Sequence, residues 1–344
     1  MYYLPTTIIL IGFSIFTLIY TLKNWKQKKS EHLLANEIIV AILFFVAGIS
    51  YPWMIPNQSS DISESGLKLI WVVTSLILSL EMIVWFSMLV YNIIICHLDK
   101  NQRLQRDYSE FCEKFNQNWV YDFKSDVGRK GLHLFTVGII FMFWFLGQLF
   151  ESLGLLECLG LDANSFAYWW ITTIGLGFII MFQLADLARL NAFFTLPKWA
   201  KNWYEKSMRK EETNTFVAST LMVLAFVPFI FVPFPIFATV ALITTGADAA
   251  ASLVGKKMGK HKLPTNSQKT LEGLIAGAMA TFLIVMGIFL IFSDYLNIDL
   301  TRIFIIASAA TTLFALIDSF SKHINDNLLN PLIIGFTMWI LYIV

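Results

Sequence analysis

Long runs of apolar residues separated by short polar segments dominate this chain. A helix needs about 20 consecutive apolar residues to cross a bilayer. Runs close to that length lie near 3–22, 36–56, 69–95, 129–150, 167–188, 216–232, 235–254, 271–292, 302–318 and 328–344. The pattern therefore predicts an all-α, polytopic membrane bundle of about ten transmembrane helices. Pro233 and Pro235 separate the sixth run from the seventh, since prolines end one helix and permit a tight turn.

Lysine and arginine residues lie mostly in alternate loops. They cluster after the first, third, fifth and seventh predicted helices, and Lys322 follows the ninth, whereas 151–166 and 293–301 contain neither residue type. Cytoplasmic loops are the ones enriched in these residues. The alternation predicts a multi-pass protein whose N- and C-termini lie outside and whose odd-numbered helices run inward.

Composition agrees with a membrane protein. The chain has 344 residues and is 57% hydrophobic but only 14% charged, whereas soluble domains carry about 25% charged residues. A net charge of +1 argues against a strongly basic nucleic-acid binder, so no nucleic-acid partner is expected. Cys96, Cys112 and Cys158 have neither disulfide nor zinc spacing. The first run lacks a basic leader and a cleavage site, so we interpret it as a retained span.

Two longer loops, at about 96–128 and 189–215, contain aromatic residues at helical spacing. These residues are Phe111, Phe115 and Trp119 in the first loop, and Trp199 and Trp203 in the second. Aromatic residues on one side of a polar helix are typical of helices that lie in the membrane interface. The two loops are therefore predicted to contain short interfacial helices.

Asp248 is the acid that most needs an explanation, because it lies within an apolar run and is surrounded by small residues. A carboxylate at membrane depth costs about 2.5–3.5 kcal/mol on insertion scales, which makes it a candidate functional residue. A Gly- and Lys-rich segment, predicted as a turn, follows at Gly255–Lys260. Backbone amides and lysines of such a turn suit phosphate groups. We therefore predict a polyphosphate and metal site at a membrane surface.

The same segment is not a Walker A loop. Only three residues separate Gly255 from Gly259, and His261 stands where that motif has Ser or Thr. The next helix begins with Lys269 and Thr270, and a helix N-terminus favours phosphate. The chemistry of phosphate binding is thus retained without the P-loop fold.

The segment resembles the CTP-dependent lipid kinase superfamily, which comprises dolichol kinase, phytol and farnesol kinase, and the CTP-type diacylglycerol kinase. That family carries G-D-x-x-A-x-x-x-G-[RK]-[RK]-x-G followed by K-[ST]-x-[EA]-G. The residues in register are Asp248, Gly255, Lys256, Lys257, Gly259, Lys269, Thr270, Glu272 and Gly273. Further family elements match Arg129, Lys130 and His133; Asp186 and Arg189; Arg209 and Glu212; and Asp326, Asn327 and Pro331.

The resemblance covers roughly residues 125–344 and departs from the family at two places. Ala247 replaces the glycine before the family's aspartate, and the acid of the penultimate helix is out of register, with Asp318 nearest. We divide the chain into 1–124, with three helices and a cytoplasmic linker, and 125–344, a catalytic membrane domain with helices four to ten.

The resemblance implies a kinase that transfers the γ-phosphate of CTP to a lipid alcohol, with Mg²⁺ as cofactor, on the cytoplasmic side. The acceptor would be a polyprenol such as dolichol, or a shorter isoprenoid such as phytol or farnesol. Catalytic roles are expected for Asp248, His133 and Asp186. Nucleotide or phosphate contacts are expected for Arg129, Lys130, Arg189, Gly255, Lys256, Lys257, Gly259, Lys269, Thr270, Glu272 and Gly273. Metal ligation is expected for Asp248, Glu212, Asp326 and Asn327.

Other interpretations remain open for most of these residues. The lysines could serve only to orient the chain, Asp186 and Arg189 could simply pair, and Asp326 and Asn327 could cap the last helix. Glu81, in the third predicted helix, is an acid with no assigned role.

Three other functions are also considered. One is a CTP-dependent diacylglycerol kinase, and another is a phosphatidate cytidylyltransferase, although that family's C-terminal signature is missing here. The third is a transporter, but transporter charges tend to lie at the midplane, whereas the polar groups here gather at one face.

Overall fold

The computed structural model describes residues 1–59, 61–118, 123–263, 269–321 and 323–344. The prediction of an all-α membrane bundle is confirmed, because apolar helices form the whole architecture of the described residues. Nine helices in this part of the chain are long and apolar enough to cross a membrane, and a shorter apolar helical segment covers Ala218–Phe231. Trp119 and Lys322 lie outside the described residues.

The helices follow the predicted runs closely. The N-terminal part contains α1 (Leu4–Lys23), α2 (Trp25–Ser30), α3 (Leu34–Met54), α4 (Glu64–Leu98), α5 (Lys100–Leu104) and α6 (Tyr108–Asn118). The middle contains α7 (Phe123–Ser152), α8 (Ala163–Ala192), α9 (Lys198–Ser207), α10 (Ala218–Ala225), α11 (Phe234–Leu242) and α12 (Asp248–Met258). The C-terminal part contains α13 (Leu271–Ile291), α14 (Ser293–Leu296), α15 (Leu300–Phe320), α16 (Asp326–Leu329) and α17 (Gly335–Ile343).

The sixth predicted run is shorter than a full span but still joins the two ends of the bundle. At its start, the Val217 amide donates to the Asp186 carboxylate at the end of α8 (2.7 Å). At its far end, the Gln58 side chain, beyond the end of α3, donates to the Ile230 carbonyl (2.6 Å). A 3₁₀ turn after α10 stretches the segment, because a 3₁₀ helix rises further per residue than an α-helix.

Both chain ends lie at the same end of the bundle. The Ser75 hydroxyl in α4 donates to the Tyr2 carbonyl (3.1 Å), and Arg302 at the start of α15 donates to the Leu341 carbonyl (3.0 Å). The chain therefore crosses the bundle an even number of times, as the alternating charges predict. The compartment that each end faces stays a prediction.

The region around Asp248 differs from the predicted apolar helix followed by a turn at Gly255. A π-helical turn at Ile243–Ala247 comes directly before Asp248, and α12 continues through Gly255 to Met258, so the chain leaves the helix only at Gly259. The expectation of a phosphate-wrapping turn at Gly255–Lys260 was therefore wrong in position. Glycine is well tolerated inside transmembrane helices, and Gly255 allows close packing there.

The two long loops form helices as predicted. Phe111 and Phe115 of α6 pack with Ala200 and Tyr204 of α9 in a second hydrophobic cluster, separate from the main core. Because α9 also contacts α7, this cluster holds the amphipathic helices against the same end of the bundle that carries the polar residues.

The N-terminal helices support loops of the C-terminal part. Lys28 forms a buried ion pair with Glu37 (2.6 Å), and Glu37 accepts a hydrogen bond from Thr215 (3.2 Å). Asn36 donates to the carbonyl of His323 (3.1 Å) and accepts from the amide of Asn325 (2.9 Å). The predicted domain boundary at residue 124 stays a prediction. These contacts nevertheless connect α2 and α3 of the N-terminal part to loops beside the site.

Candidate active site

Lys130 and Asp248 form the central ion pair of the candidate site. Their side chains come from α7 and α12, and the Lys130 ammonium donates to Asp248 Oδ2. Lys130 is only 2% exposed. Removing charges from water costs several kcal/mol unless they are paired, so each side chain stabilises the other's charged form. Two predicted site residues that lie 118 positions apart in sequence are thus in direct contact.

Asp126 organises a second set of contacts one turn before Lys130. Its carboxylate accepts from Lys256 (2.6 Å), Ser252 (3.0 Å) and Arg129 (2.5 Å). Asp126 was not among the predicted site residues. Its position three residues before Arg129 on a helix was the available signal, because side chains at this spacing are neighbours. Asp126 thereby connects the predicted phosphate-binding residues of α7 and α12.

Lys269 lies between two acids at the start of the α13 segment. Its ammonium is 2.7 Å from Asp318 Oδ1 of α15 and 3.6 Å from Asp326 Oδ2 of α16. Burial alone would lower the pKa of Lys269, but the nearby Asp326 and Asp318 carboxylates hold it above its ordinary value. Asp318, the out-of-register acid, thus reaches the site.

Arg209 and Glu212 bring the loop before α10 into the same region. Burial opposes the charge of Arg209, yet Glu212, Asp326 and Asp248 together raise its pKa above the ordinary value. Glu212 is buried, which raises its pKa, and its carboxylate accepts from the amides of Arg209 (2.8 Å) and Ala218 (2.9 Å). These bonds give Glu212 a role in shaping the loop, and its predicted metal role remains untested.

The glycines at positions 255, 259 and 273 have a packing function in this structure. A methyl group on Gly273 would lie 2.6 Å from the Ala251 carbonyl and 2.9 Å from Gly255 Cα. Such distances are too short for a side chain, so α12 and α13 can approach this closely only because both positions are glycine. Gly259 is similarly crowded by Thr270. Phosphate contacts by the three glycines stay a prediction.

The described residues that follow α12 contact those that begin α13 through backbone and side-chain groups. The amide of Leu271 donates to the His261 carbonyl (2.8 Å), and the His261 ring lies 2.7 Å from Glu272 Oε1. Thr270 caps α13 by accepting from the Gly273 amide (3.2 Å). Glu272 and Thr270 therefore stabilise the start of α13, which positions Lys269.

Asp186 and Arg189 form a different kind of buried pair. Asp186 accepts from Arg189, from the Tyr204 hydroxyl (2.9 Å) and from the Val217 amide (2.7 Å). Arg189 also donates to the carbonyls of residues 213 (3.0 Å) and 215 (2.5 Å). The structure gives both residues partners that fix the 213–217 loop, rather than bringing them to Asp248.

His133 lies one turn beyond Lys130 on the same face of α7. Its side chain is 3% exposed, and neither ring nitrogen has a hydrogen-bond partner among the described residues. An unsatisfied buried polar group costs about 1–3 kcal/mol. The two ring nitrogens of His133 therefore offer hydrogen-bonding capacity to a ligand.

The remaining predicted residues lie at the edge of the site. Lys257 is exposed near the end of α12. Asn327 donates to Asn325, and Asn325 rather than Asp326 or Asn327 caps α16. Glu81 of α4 packs close to Gly177 of α8, where an added methyl group would lie 2.9 Å from its carboxylate. Glu81 therefore lies between α4 and α8 and is not part of the ion-pair cluster around Asp248.

The acids of the site fit Mg²⁺ only in part. No group of three or more metal-ligating side chains occurs in the described ranges. Mg²⁺, however, is commonly held by one or two carboxylates together with substrate phosphates. Asp248, Asp326 and Asp126 all act on the charges of Lys130 and Arg209, and metal ligation by Asp248 and Asp326 stays a prediction.

Comparison with known proteins gives one partial similarity. A stretch of 91 residues, 25% of this chain, is 35% identical to a protein from Oryza sativa subsp. japonica named "Probable phytol kinase 2, chloroplastic". That stretch covers 29% of the rice protein, so the similarity concerns less than a third of it. No family model and no solved structure matches the chain. The similarity supports, at most, a relationship with lipid kinases.

Proposed function

We propose that this protein is an integral membrane kinase that transfers the γ-phosphate of CTP to the hydroxyl of a prenyl alcohol, with Mg²⁺ as cofactor. The observation that carries the proposal is the convergence of Lys130, Asp248, Lys256, Lys269 and Arg129 from separate helices at one end of the bundle. The partial similarity to a phytol kinase supports the same reaction class.

Phosphoryl transfer needs positioned positive charge more than covalent help from the protein. Lys130, Lys256, Lys269 and Arg129 are each paired with a carboxylate, which offsets their positive charge. A triphosphate would replace the carboxylates as partner of Lys130, Lys256 and Lys269. Asp248 and Asp326 would then be released to hold Mg²⁺, which neutralises charge on the phosphates when bound.

The reaction that this arrangement supports is a displacement at the γ-phosphorus. The alcohol oxygen bonds to phosphorus as the bond to the β,γ-bridging oxygen breaks, and CDP and a lipid monophosphate are the products. The hydroxyl proton leaves to Asp248 or to His133, two predicted catalytic residues that both interact with Lys130. CTP preference rests on the resemblance, since no residue identifies itself as a cytosine contact.

A direct assay tests this function. Purified protein in detergent is incubated with γ-labelled CTP or ATP, Mg²⁺, and farnesol, phytol, a long polyprenol or diacylglycerol. We expect label in a prenyl phosphate, more efficiently from CTP. Label transferred only to diacylglycerol would show that the protein is a diacylglycerol kinase. Incorporation of α-labelled CMP into phosphatidate would instead indicate a cytidylyltransferase, and no transfer under any condition would overturn the proposal.

Orientation is part of the proposal. With the charge-rich loops inside, the site faces the cytoplasm and both termini lie outside. Single cysteines introduced near Asp162 in a chain without its native cysteines should react with an impermeant reagent added outside, whereas those near His261 should not. The opposite pattern would reverse the topology while leaving the chemistry unaffected.

A further inference from the structure

A cavity between α7, α8 and α10 lies directly beside His133. Its volume is about 290 Å³, and apart from a few polar side chains its walls are aliphatic and aromatic. Ile179 of α8, Met222 of α10 and Phe226, which directly follows α10, form the buried inner wall. A cavity of this volume lies near the small end of the range for ligand sites, which is about 300–1,000 Å³.

Two buried polar side chains that line this cavity have no hydrogen-bond partner in the described part of the chain. They are His133 of α7, 3% exposed, and Thr172 of α8, 2% exposed. An apolar cavity that nevertheless contains such groups is suited to an apolar ligand with a small polar head. A neutral imidazole has one donor and one acceptor, as does a hydroxyl.

The cavity connects the ion-pair cluster to the lipid-facing side of the bundle. At one end, His133 is one helical turn from Lys130 and interacts electrostatically with Lys130 and Asp248. Along α7, lining residues extend from Leu132 to Ile140, about 12 Å at 1.5 Å per residue. Leu132 and Phe135 are 58% and 66% exposed on the outer surface, so the rim opens toward lipid.

We propose that this cavity binds the apolar chain of a single-chain prenyl alcohol and that His133 holds the alcohol hydroxyl at its polar end. The proposal rests on the kinase function above and specifies its acceptor site. The ligand enters through the rim at Leu132 and Phe135, and the part of a longer chain that the cavity does not hold remains in the bilayer. A diacylglycerol carries two acyl chains, and a cavity of this volume suits only one chain.

Binding measured without nucleotide tests the site independently of turnover. Gly175 lines the cavity, and a methyl group added there would find only Val223 Cγ1, at 3.9 Å. Gly175→Leu therefore fills the cavity without a backbone clash. Gly138 of α7 has no heavy atom within 4 Å of its added methyl group, and it does not line the cavity. Gly138→Leu is thus a matched control in a neighbouring helix.

We expect Gly175→Leu to raise the Kd for tritiated farnesol in detergent at least tenfold, and Gly138→Leu to leave it within twofold. In the kinase assay, the KM for the alcohol should rise for Gly175→Leu while the KM for CTP stays unchanged. Equal Kd values for wild type and Gly175→Leu would overturn the proposal. A correctly folded variant is verified by its thermal transition in the absence of ligand.

The hydroxyl contact is tested with two substitutions of His133 and two ligands. His133→Phe should weaken binding of farnesol at least tenfold but leave binding of farnesene, the hydrocarbon without the hydroxyl, unchanged. His133→Gln retains a donor and an acceptor and should restore much of the farnesol affinity. Equal losses for both ligands would show that His133 only shapes the cavity, which contradicts the proposed contact.

The two proposals fail in distinguishable ways. Farnesol binding that depends on Gly175 and His133, without phosphate transfer from any nucleotide, would retain the cavity and overturn the kinase. Transfer that is unaffected by Gly175→Leu would retain the kinase and overturn the cavity as acceptor site. Absence of both binding and transfer would overturn both.

Discussion

Two buried acid–base pairs lie near the same end of this bundle, yet they are surrounded very differently. Asp186 and Arg189 are both fully buried, and their partners include uncharged hydroxyl, amide and carbonyl groups. Lys130 and Asp248 interact with further charged side chains, namely Arg209, Asp126 and Asp326. The first pair is completed by fixed backbone, whereas the second can exchange partners. A fixed network suits structural support, and an exchangeable one suits a charged ligand.

Loss of Asp248 should have the largest effect on activity. Asp248→Asn preserves shape and removes the charge, and we expect kcat to fall by about 10²–10³-fold, comparable to removal of a key electrostatic contact in other enzymes. The thermal transition in detergent should change little, because Asp126 and Asp326 also act on Lys130. Phosphate transfer and thermal unfolding are measured on the same preparation. Activity above about a tenth of wild type would assign the metal role to Asp326.

Asp186→Asn should affect stability rather than chemistry. Breaking a buried ion pair by removing one partner costs about 3–5 kcal/mol, because the other charge is left buried without compensation. Here Arg189 would keep its carbonyl partners but lose the carboxylate. We expect a clearly lowered thermal transition, with kcat of the folded fraction within a few fold of wild type. A loss of kcat without a loss of stability would instead support the catalytic role predicted from sequence.

The bundle itself was predictable because lipid leaves few alternatives. Backbone groups must be satisfied within each segment, so apolar runs of spanning length had to form helices. The gathering of charge at one face was also visible in sequence. The π-helical turn at Ile243–Ala247 was not, since nothing local distinguishes it from α-helix. Turns of this kind are frequent at functional sites, and this one lies directly before Asp248.

Pairings between distant helices were equally hidden from the sequence. The contacts of Asp126 with Lys256 and of Lys269 with Asp318 depend on how α7, α12, α13 and α15 pack. Motif spacing placed Asp318 out of register with the family's acid, yet Asp318 is the residue that contacts Lys269. The cavity beside His133 is a property of three helices together, so the sequence could supply only the histidine.

Removal of single cations tests whether the exchangeable cluster holds the triphosphate. Lys269→Ala leaves Asp318 and Asp326 without their shared cation, and we expect the KM for CTP to rise about tenfold, or about 1.4 kcal/mol. Arg129→Ala should act in the same direction. The KM for the alcohol should stay unchanged in both. Wild-type values for CTP, combined with inverted or missing protein in the membrane, would mean that these charges only orient the chain.

The smallest expected change in KM concerns two adjacent lysines, Lys256 and Lys257, in the last turn of α12. Both lysines are exposed near the end of α12, but the Lys256 ammonium donates to Asp126 of the cluster (2.6 Å). Charge-based orientation depends on the number of cations in a loop, so it should treat both alike. Phosphate binding depends on position, so Lys256→Ala should raise the KM for CTP several-fold and Lys257→Ala less than twofold. Steady-state kinetics on the two variants, with membrane insertion measured in parallel, decide between these explanations. Equal effects on the KM would contradict a position-specific role for Lys256, and a larger effect of Lys257→Ala would place the triphosphate outside the cluster that Asp126 organises.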